Sequence, residues 1–151
     1  SRAGDDHRRD HAAHAGMSAT LVDSNVLLDV ITGDATWAAW STAALERASD
    51  STVLVINPLV YAEVSVRFER IEDLDDAIPP DLYRRDPLPY AAGFLAGKAF
   101  LRYRASGGAR HTPLPDFYIG AHAALAGHRL LTRDASRFRT YFPTVEVIAP
   151  A

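Results

Sequence analysis

The stretch Ala19-Thr-Leu-Val-Asp-Ser-Asn-Val-Leu-Leu-Asp-Val-Ile-Thr-Gly33 passes from a strand pattern to a helix pattern at a single carboxylate. The short apolar run Ala19–Asp23 predicts a buried strand, and Ser24-Asn25 are residue types that begin helices. Asn25–Thr32 predicts a short helix that Gly33 ends. A strand that leads directly into a helix is typical of an α/β fold.

The alternation of short apolar runs and longer amphipathic stretches continues to the end of the chain. Strands are predicted at Val53–Ile56, Arg129–Thr132 and Val145–Ile148, and a strand-like segment lies between the proline pairs Pro79-Pro80 and Pro87/Pro89. Helices are predicted over Thr36–Ser49, Pro58–Phe68, Ile71–Ala77, Tyr90–Arg104, Pro115–Ala126 and Ala135–Tyr141. This order predicts an α/β sandwich around a central parallel sheet of four to five strands. Functional groups gather at the carboxyl ends of such strands.

Composition excludes several classes of protein. The 151 residues fit one domain, and 48% hydrophobic with 23% charged residues is a globular balance. Cysteine is absent, which excludes disulfides and thiolate chemistry. No apolar run reaches about 18 residues, so no membrane span is expected, and we predict a cytoplasmic protein. The net charge of −3 is unusual for a protein that binds nucleic acid through basic residues alone.

Residues 1–16 differ from the rest of the chain. They contain three of the six histidines and no aromatic or branched apolar residue. We interpret them as a disordered leader, either a vector remnant or an extension from a start codon upstream of Met17. A single domain is predicted over residues 17–151.

Four carboxylates fall at the functional edge of the predicted sheet. Asp23 closes the first strand, Glu63 lies on the helix after the second, Asp116 begins a helix, and Asp134 follows the strand that ends at Thr132. Each also has a purely structural interpretation, as a helix cap or as a charge that complements a helix dipole. Two carboxylates about 4 Å apart repel by about 4 kcal/mol at an effective dielectric constant of about 20. A cluster of carboxylates therefore needs a shared proton or a hard cation to reduce this repulsion. Without thiolate ligands, the carboxylates favour Mg²⁺ or Mn²⁺.

Basic and aromatic side chains near these acids complete the candidate site. Arginines flank the Gly107-Gly108 loop and the Asp134 turn and are candidate contacts for the phosphates of a ligand; they are Arg102, Arg104, Arg110, Arg133 and Arg137. Five aromatic residues are expected to pack in the core or a partner groove and not to stack on bases; they are Trp37, Trp40, Phe94, Phe100 and Tyr103. His122 is predicted to be a packing or interface histidine, and Asp29 is predicted to be solvated.

Four segments that carry these acids resemble the motifs of PIN-domain ribonucleases, and most closely those of VapC-type toxins of bacterial type II toxin–antitoxin systems. The segments begin with Leu21-Val-Asp-Ser-Asn-Val-Leu-Leu-Asp29 and Pro58-Leu-Val-Tyr-Ala-Glu63. They continue with Leu114-Pro-Asp-Phe-Tyr-Ile-Gly-Ala-His122 and the run from Leu130 to Pro143. The resemblance extends in order from about Ala19 to Ile148.

The resemblance implies an α/β/α domain with a catalytic, metal-binding acid set of Asp23, Glu63, Asp116 and Asp134. Asp23 and Asp116 match the direct ligands, Glu63 helps to bind metal or position water, and Asp134 matches a more variable position. Asn25 and Thr132 match polar positions that orient the acids. The activity implied is Mg²⁺- or Mn²⁺-dependent RNA cleavage, with inhibition by a VapB-type antitoxin; a homodimer is expected, within a possibly larger toxin–antitoxin complex.

Alternative functions remain at this point. A non-catalytic PIN-like module that binds nucleic acid or protein has the same fold. A haloacid-dehalogenase-type phosphatase would need an acid where Asn25 stands. A phosphoacceptor receiver would need a lysine after a late strand, whereas Lys98 lies in a predicted helix.

Overall fold

The computed structural model describes residues 18–110 and 114–151. The predicted leader 1–16 lies outside them. The strands are β1 (Ala19–Val22), β2 (Val53–Ile56), β3 (Tyr83–Arg85), β4 (Arg129–Leu131) and β5 (Val147–Ile148). The helices are α1 (Ser24–Thr32), α2 (Ala38–Ser51), α3 (Pro58–Ser65), α4 (Ile71–Ala77), α5 (Tyr90–Ala105), α6 (Pro115–Ala126) and α7 (Ser136–Tyr141).

The five strands form one parallel sheet in the order β3-β2-β1-β4-β5. This confirms the predicted α/β/α sandwich, with five strands. The chain leaves β1 toward β2 and β3 and then returns to β4 on the other side of β1. Right-handed crossovers therefore place α1–α4 on one face and α5–α7 on the other. Every residue of β1 is buried, as a central strand covered on both faces requires.

The core fills both sides of the sheet. Leu21, Ile56 and Leu130 of the central strands are almost fully buried, as are Phe117 of α6 and Phe138 of α7. Burial of a large apolar side chain contributes about 1.5–3 kcal/mol relative to exposure. Within the residues that the structure describes, no helix has both the length and the apolar character needed to cross a membrane.

Several helix boundaries differ by one to three residues from the sequence-based prediction, and two of them bear on the site. Helix α1 begins at Ser24, because Asp23 has extended backbone angles and its carboxylate accepts a hydrogen bond from the Ser24 amide. Asp23 is therefore the N-cap residue itself. Helix α3 ends at Ser65 and not near Phe68, although Asn57 and Pro58 begin it as predicted. Gly33 ends α1 in a left-handed conformation (φ 63°), also as predicted.

Candidate active site at the carboxyl edge of the sheet

The carboxyl ends of β1 and β4 meet where the direction of the chain connections reverses. The Asp23 amide donates to the Leu131 carbonyl at 2.9 Å, which joins the two strand ends. Crevices at such reversal points are the usual ligand sites of open α/β sheets. The predicted acids gather beside this point.

Asp23 is the most buried of the four acids, with 4% of its surface exposed. Its Oδ1 accepts from the Ser24 amide and its Oδ2 accepts from the Thr132 hydroxyl, both at 2.8 Å. Burial raises the pKa of Asp23 to about 7, with the charges of Asp116 and Glu63 adding to the effect and the hydrogen bonds opposing it. Asp23 is therefore a carboxylate poised to exchange its proton near neutral pH.

Glu63 projects from α3 toward the same place. Its Oε1 is buried and has no hydrogen-bond partner, the only such side-chain atom among the described residues. Burial raises the pKa of Glu63, the charge of Asp116 raises it further, and the Ser24 hydroxyl opposes the shift. A buried carboxylate oxygen without a partner is costly unless a ligand or cation satisfies it.

Asp116 lies in the first turn of α6, one residue after Pro115, and its side chain is 34% exposed. Its Oδ2 accepts a hydrogen bond from Arg137 Nη1 at 3.0 Å. Burial raises the pKa of Asp116, the Arg137 charge opposes this, and the charge of Asp134 adds to it. Asp23, Glu63 and Asp116 thus form one electrostatically coupled group, called here the acid pocket.

Asp134 lies at the rim of the acid pocket. It is exposed, and its amide donates to the Thr132 hydroxyl at 3.2 Å. Its charge acts on Asp116, whereas Asp23 is affected by Asp116 and Glu63. Asp134 is therefore coupled to the acid pocket through Asp116, and not through Asp23 or Glu63.

Asn25 and Thr132 brace the acid pocket. The Thr132 hydroxyl donates to Asp23 and accepts from the Asn25 side chain at 3.4 Å. The Asn25 Oδ1 in turn accepts from the Arg133 amide at 3.2 Å. These bonds hold the start of α1 against the end of β4 and fix the rotamer of Asp23.

The predicted RNA-contacting arginines have different surroundings. Arg137 is at the acid pocket, and Arg102 donates to the Tyr141 carbonyl at 3.0 Å nearby. Arg104 donates to the backbone carbonyls of Gly108 and Arg110, and Arg110 itself is exposed. Of these four arginines, only Arg137 forms an ion pair with an acid of the pocket.

Arg133 is held away from the acid pocket by Asp29. Arg133 Nε and Nη2 donate to the two Asp29 oxygens at 2.9 and 3.0 Å, and the guanidinium lies 5.5 Å from the centre of the Trp37 ring. Asp29 is 3% exposed and also accepts from the Ser41 hydroxyl at 2.8 Å. The prediction that Asp29 is solvated is therefore wrong, because α1, α2 and Arg133 enclose it.

A second group of polar residues lies apart from the acid pocket. Asp86, His122 and His128 have potential ligand atoms within 4.8 Å of one another, which makes them a candidate metal-binding cluster. Among the described residues it is the one group of three that meets this distance. The carboxylate oxygens of Asp23, Glu63 and Asp116 are therefore not all within 4.8 Å of one another. No sequence pattern indicated this cluster, because Asp86 comes from a distant loop.

Hydrogen bonds within the protein already engage this cluster. Arg84 binds both Asp86 oxygens at 2.8 and 3.1 Å, and His128 Nε2 lies 3.3 Å from Asp86 Oδ2. The Asn57 side-chain amide donates to His122 Nδ1 at 3.1 Å. Burial lowers the pKa of His122, and the His128 charge adds to this. His122 is thus a buried, neutral packing histidine, as predicted.

The acid pocket defines a class of protein: a small α/β domain with carboxylates gathered at the reversal point of a parallel sheet. The PIN domain family model matches residues 20–142, and the chain belongs to the PIN domain family. No curated protein sequence matches the chain.

Solved structures share this fold at low sequence identity. VapBC2 from Rickettsia felis bound to a promoter DNA fragment has a TM-score of 0.68 and 15% identity, covering 88% of this chain and 99% of that one. A toxin–antitoxin complex from Klebsiella pneumoniae has a TM-score of 0.66 and 21% identity, covering 87% and 98%. VapBC-1 from nontypeable Haemophilus influenzae has a TM-score of 0.66 and 16% identity, covering 87% and 97%.

Proposed function

We propose that this protein is a metal-dependent endoribonuclease toxin that a VapB-type antitoxin restrains. PIN domains are in general nucleases. The observation that carries the proposal is the acid pocket, in which the buried Oε1 of Glu63 has no partner and the pKa of Asp23 is raised to about 7. Buried carboxylates that repel one another lower the stability of the fold. Such groups occur at functional sites, where they bind a cation or transfer a proton.

The donor set of the acid pocket fits a hard divalent cation. Asp23, Glu63 and Asp116 offer only oxygen atoms, which suits Mg²⁺ or Mn²⁺ better than zinc. Asp134 is placed to contribute from the rim. A divalent cation held there lowers the pKa of an attacking water and neutralises phosphate charge.

The protein's own residues orient the reaction. Thr132 and Asn25 hold Asp23 in one rotamer, and Arg137 supplies a donor for a backbone phosphate beside Asp116. Water would attack phosphorus in line with the P–O3′ bond, which breaks; the water gives up one proton and the departing 3′ oxygen takes up one. Cleavage therefore leaves a 5′-phosphate and a 3′-hydroxyl.

The proposed partners follow from the comparisons and from the surface. The similar solved structures are described as VapBC or toxin–antitoxin complexes, which supports an antitoxin partner. Tyr90 and Phe94 on α5 expose large apolar side chains that a protein partner would cover. We propose a homodimer, within a larger complex when the antitoxin is present, that acts on RNA in the cytoplasm.

The decisive experiment is cleavage of total bacterial RNA by antitoxin-free protein in Mg²⁺ or Mn²⁺, compared with EDTA. Asp116→Asn and Asp23→Asn should abolish cleavage while the circular dichroism spectrum stays unchanged. Asp81→Asn, at an exposed position outside the acid pocket, is the matched control and should cleave normally.

Fragment ends provide a second readout. A 2′,3′-cyclic phosphate would contradict metal-assisted hydrolysis. RNA binding by folded protein without cleavage in either metal would favour the non-catalytic module instead.

A further inference from the structure

A surface cleft beside the acid pocket is lined by residues of α5, of α7 and of the turn before α7. It has a volume of about 300 Å³ and is lined by Tyr103, Asp134, Ser136, Arg137, Thr140 and Tyr141. We call it the tyrosine cleft. Its volume is at the lower end of the range for small-molecule sites. Two of its residues also belong to the surroundings of the acid pocket, since Arg137 binds Asp116 and the Asp134 charge acts on Asp116.

One wall of the tyrosine cleft is aromatic and rigidly supported. Tyr141 packs edge to face against Phe117, with ring centres 5.4 Å apart, and against Tyr103 at 6.3 Å. Tyr103 is covered by Phe100 and by the backbone of Gly108, where a Cβ would collide with the ring. Both tyrosines are half-buried and line the cleft. Tyr103 is a packing residue, as the sequence predicted, because the Phe100 ring is stacked on it, whereas among the described residues no ring is stacked face to face on Tyr141.

Cationic groups stand at the edge of this aromatic wall. The Arg137 guanidinium lies 5.9 Å from the Tyr103 ring centre and 5.8 Å from that of Phe117, and it faces Asp116. Arg102 donates to the Tyr141 carbonyl from the neighbouring helix. The Arg137 guanidinium thus lies beside Tyr103 and lines the same cleft as Tyr141. A guanidinium and a tyrosine ring that line one cleft can together recognise a phosphate and an adjoining base.

We propose that the tyrosine cleft binds the nucleotide next to the scissile phosphate, with its base stacked on Tyr141 and its phosphate held by Arg137. This inference rests on the proposed function, because it assigns part of the substrate to a place beside the acid pocket. Asp134, Ser136 and Thr140 give the remaining walls polar atoms for the base edge and the ribose. Base stacking on an aromatic side chain contributes about 1–3 kcal/mol and tolerates every base.

The test compares adenosine 5′-monophosphate with ribose 5-phosphate, which lacks the base, by calorimetry in EDTA. The wild-type protein should bind the nucleotide about 5- to 150-fold more tightly, the ratio that one stacked base gives. Tyr141→Leu should abolish this difference and Tyr141→Phe, which keeps the ring, should retain it. Tyr90→Leu, which removes a fully exposed tyrosine at the start of α5, is the matched control and should bind as wild type does.

A second measurement keeps the proposal testable if Tyr141→Leu does not fold. The nucleotide should shift the backbone NMR signals of Ser136, Thr140 and Tyr141 in the wild-type protein and leave those of α2 unchanged. Equal affinity for the two ligands, or shifts elsewhere only, would overturn the proposal.

The two proposals fail in different ways. Base-dependent binding in EDTA without cleavage in Mg²⁺ or Mn²⁺ keeps the tyrosine cleft and removes the nuclease. Metal-dependent cleavage together with base-independent binding keeps the nuclease and removes the tyrosine cleft as a base-binding site.

Discussion

The Thr132 hydroxyl donates a 2.8 Å hydrogen bond to Asp23 although 109 positions separate the two residues. The bond joins the ends of the two adjacent strands β1 and β4. It also opposes the effect of burial on the pKa of Asp23. The Thr132–Asp23 hydrogen bond thus both positions the Asp23 carboxylate and lowers its pKa.

Thr132→Val tests this contact because valine keeps the shape and removes the hydroxyl. We expect a loss of about 1–3 kcal/mol in the free energy of unfolding, since buried polar groups lose a partner. The pKa of Asp23 should rise further, which a shift of the pH profile of stability to higher pH would show. Thr32→Val, which removes an exposed hydroxyl from α1, should change neither quantity.

Stability without divalent cations should depend on pH through Asp23. Its pKa is raised from 3.8 to about 7, so between these values the folded state binds more protons than the unfolded chain. The contribution of Asp23 to the free energy of unfolding is therefore fully present below about pH 4. It is lost as the pH rises toward 7, by up to about 4 kcal/mol. Glu63 and Asp116, whose pKa values are also raised, act in the same direction.

Urea unfolding in EDTA at pH 5 and pH 8 measures this dependence. Asp23→Asn should flatten the profile and be more stable than wild type at pH 8. A wild-type protein that gains stability over this range would contradict the raised pKa of Asp23.

Arg133→Gln should destabilise the fold strongly, because it leaves the buried Asp29 carboxylate without its cation. We expect a loss of about 2–4 kcal/mol. The double replacement Asp29→Leu with Arg133→Met should recover much of it, since no unpaired charge remains. Arg139→Gln, an exposed arginine of α7, is the control for thermal melting; equal melting temperatures for Arg133→Gln and Arg139→Gln would refute a structural role for the pair.

Gly120→Ala should disturb the support of α7, because a Cβ there would collide with the Phe142 ring. We expect a loss of about 1–3 kcal/mol, the usual cost of overpacking. Gly97→Ala is a matched control on α5, where a Cβ meets nothing within 4 Å. It should stabilise the protein by about 0.4–1 kcal/mol, so the two alanine variants should shift the melting temperature in opposite directions.

Local patterns predicted most of the elements, because their signals lie within a few residues of one another. Asn57 and Pro58 begin α3, and Gly33 ends α1, through hydrogen bonds and backbone angles that the nearest residues determine. Strand β3 was indicated only as a strand-like segment, since its three residues are too few to show alternation. The end of helix α3 at Ser65 could not be predicted in this way, because the hydrophobic pattern of the segment continues to about Phe68.

The sequence by itself determined the order of strands and helices, the place of Asp23, Asp116 and Asp134 beside the ends of strands and helices, and the place of Glu63 on the helix after β2. Hydrophobic periodicity and capping chemistry act over a few residues, so a single sequence is enough to show them. Only the tertiary structure decided that Asp23 meets Thr132, that Arg133 helps to enclose Asp29, and that Arg137 faces Asp116. These pairs depend on β1 lying between β2 and β4 and on how helices cross the sheet, which no local pattern encodes.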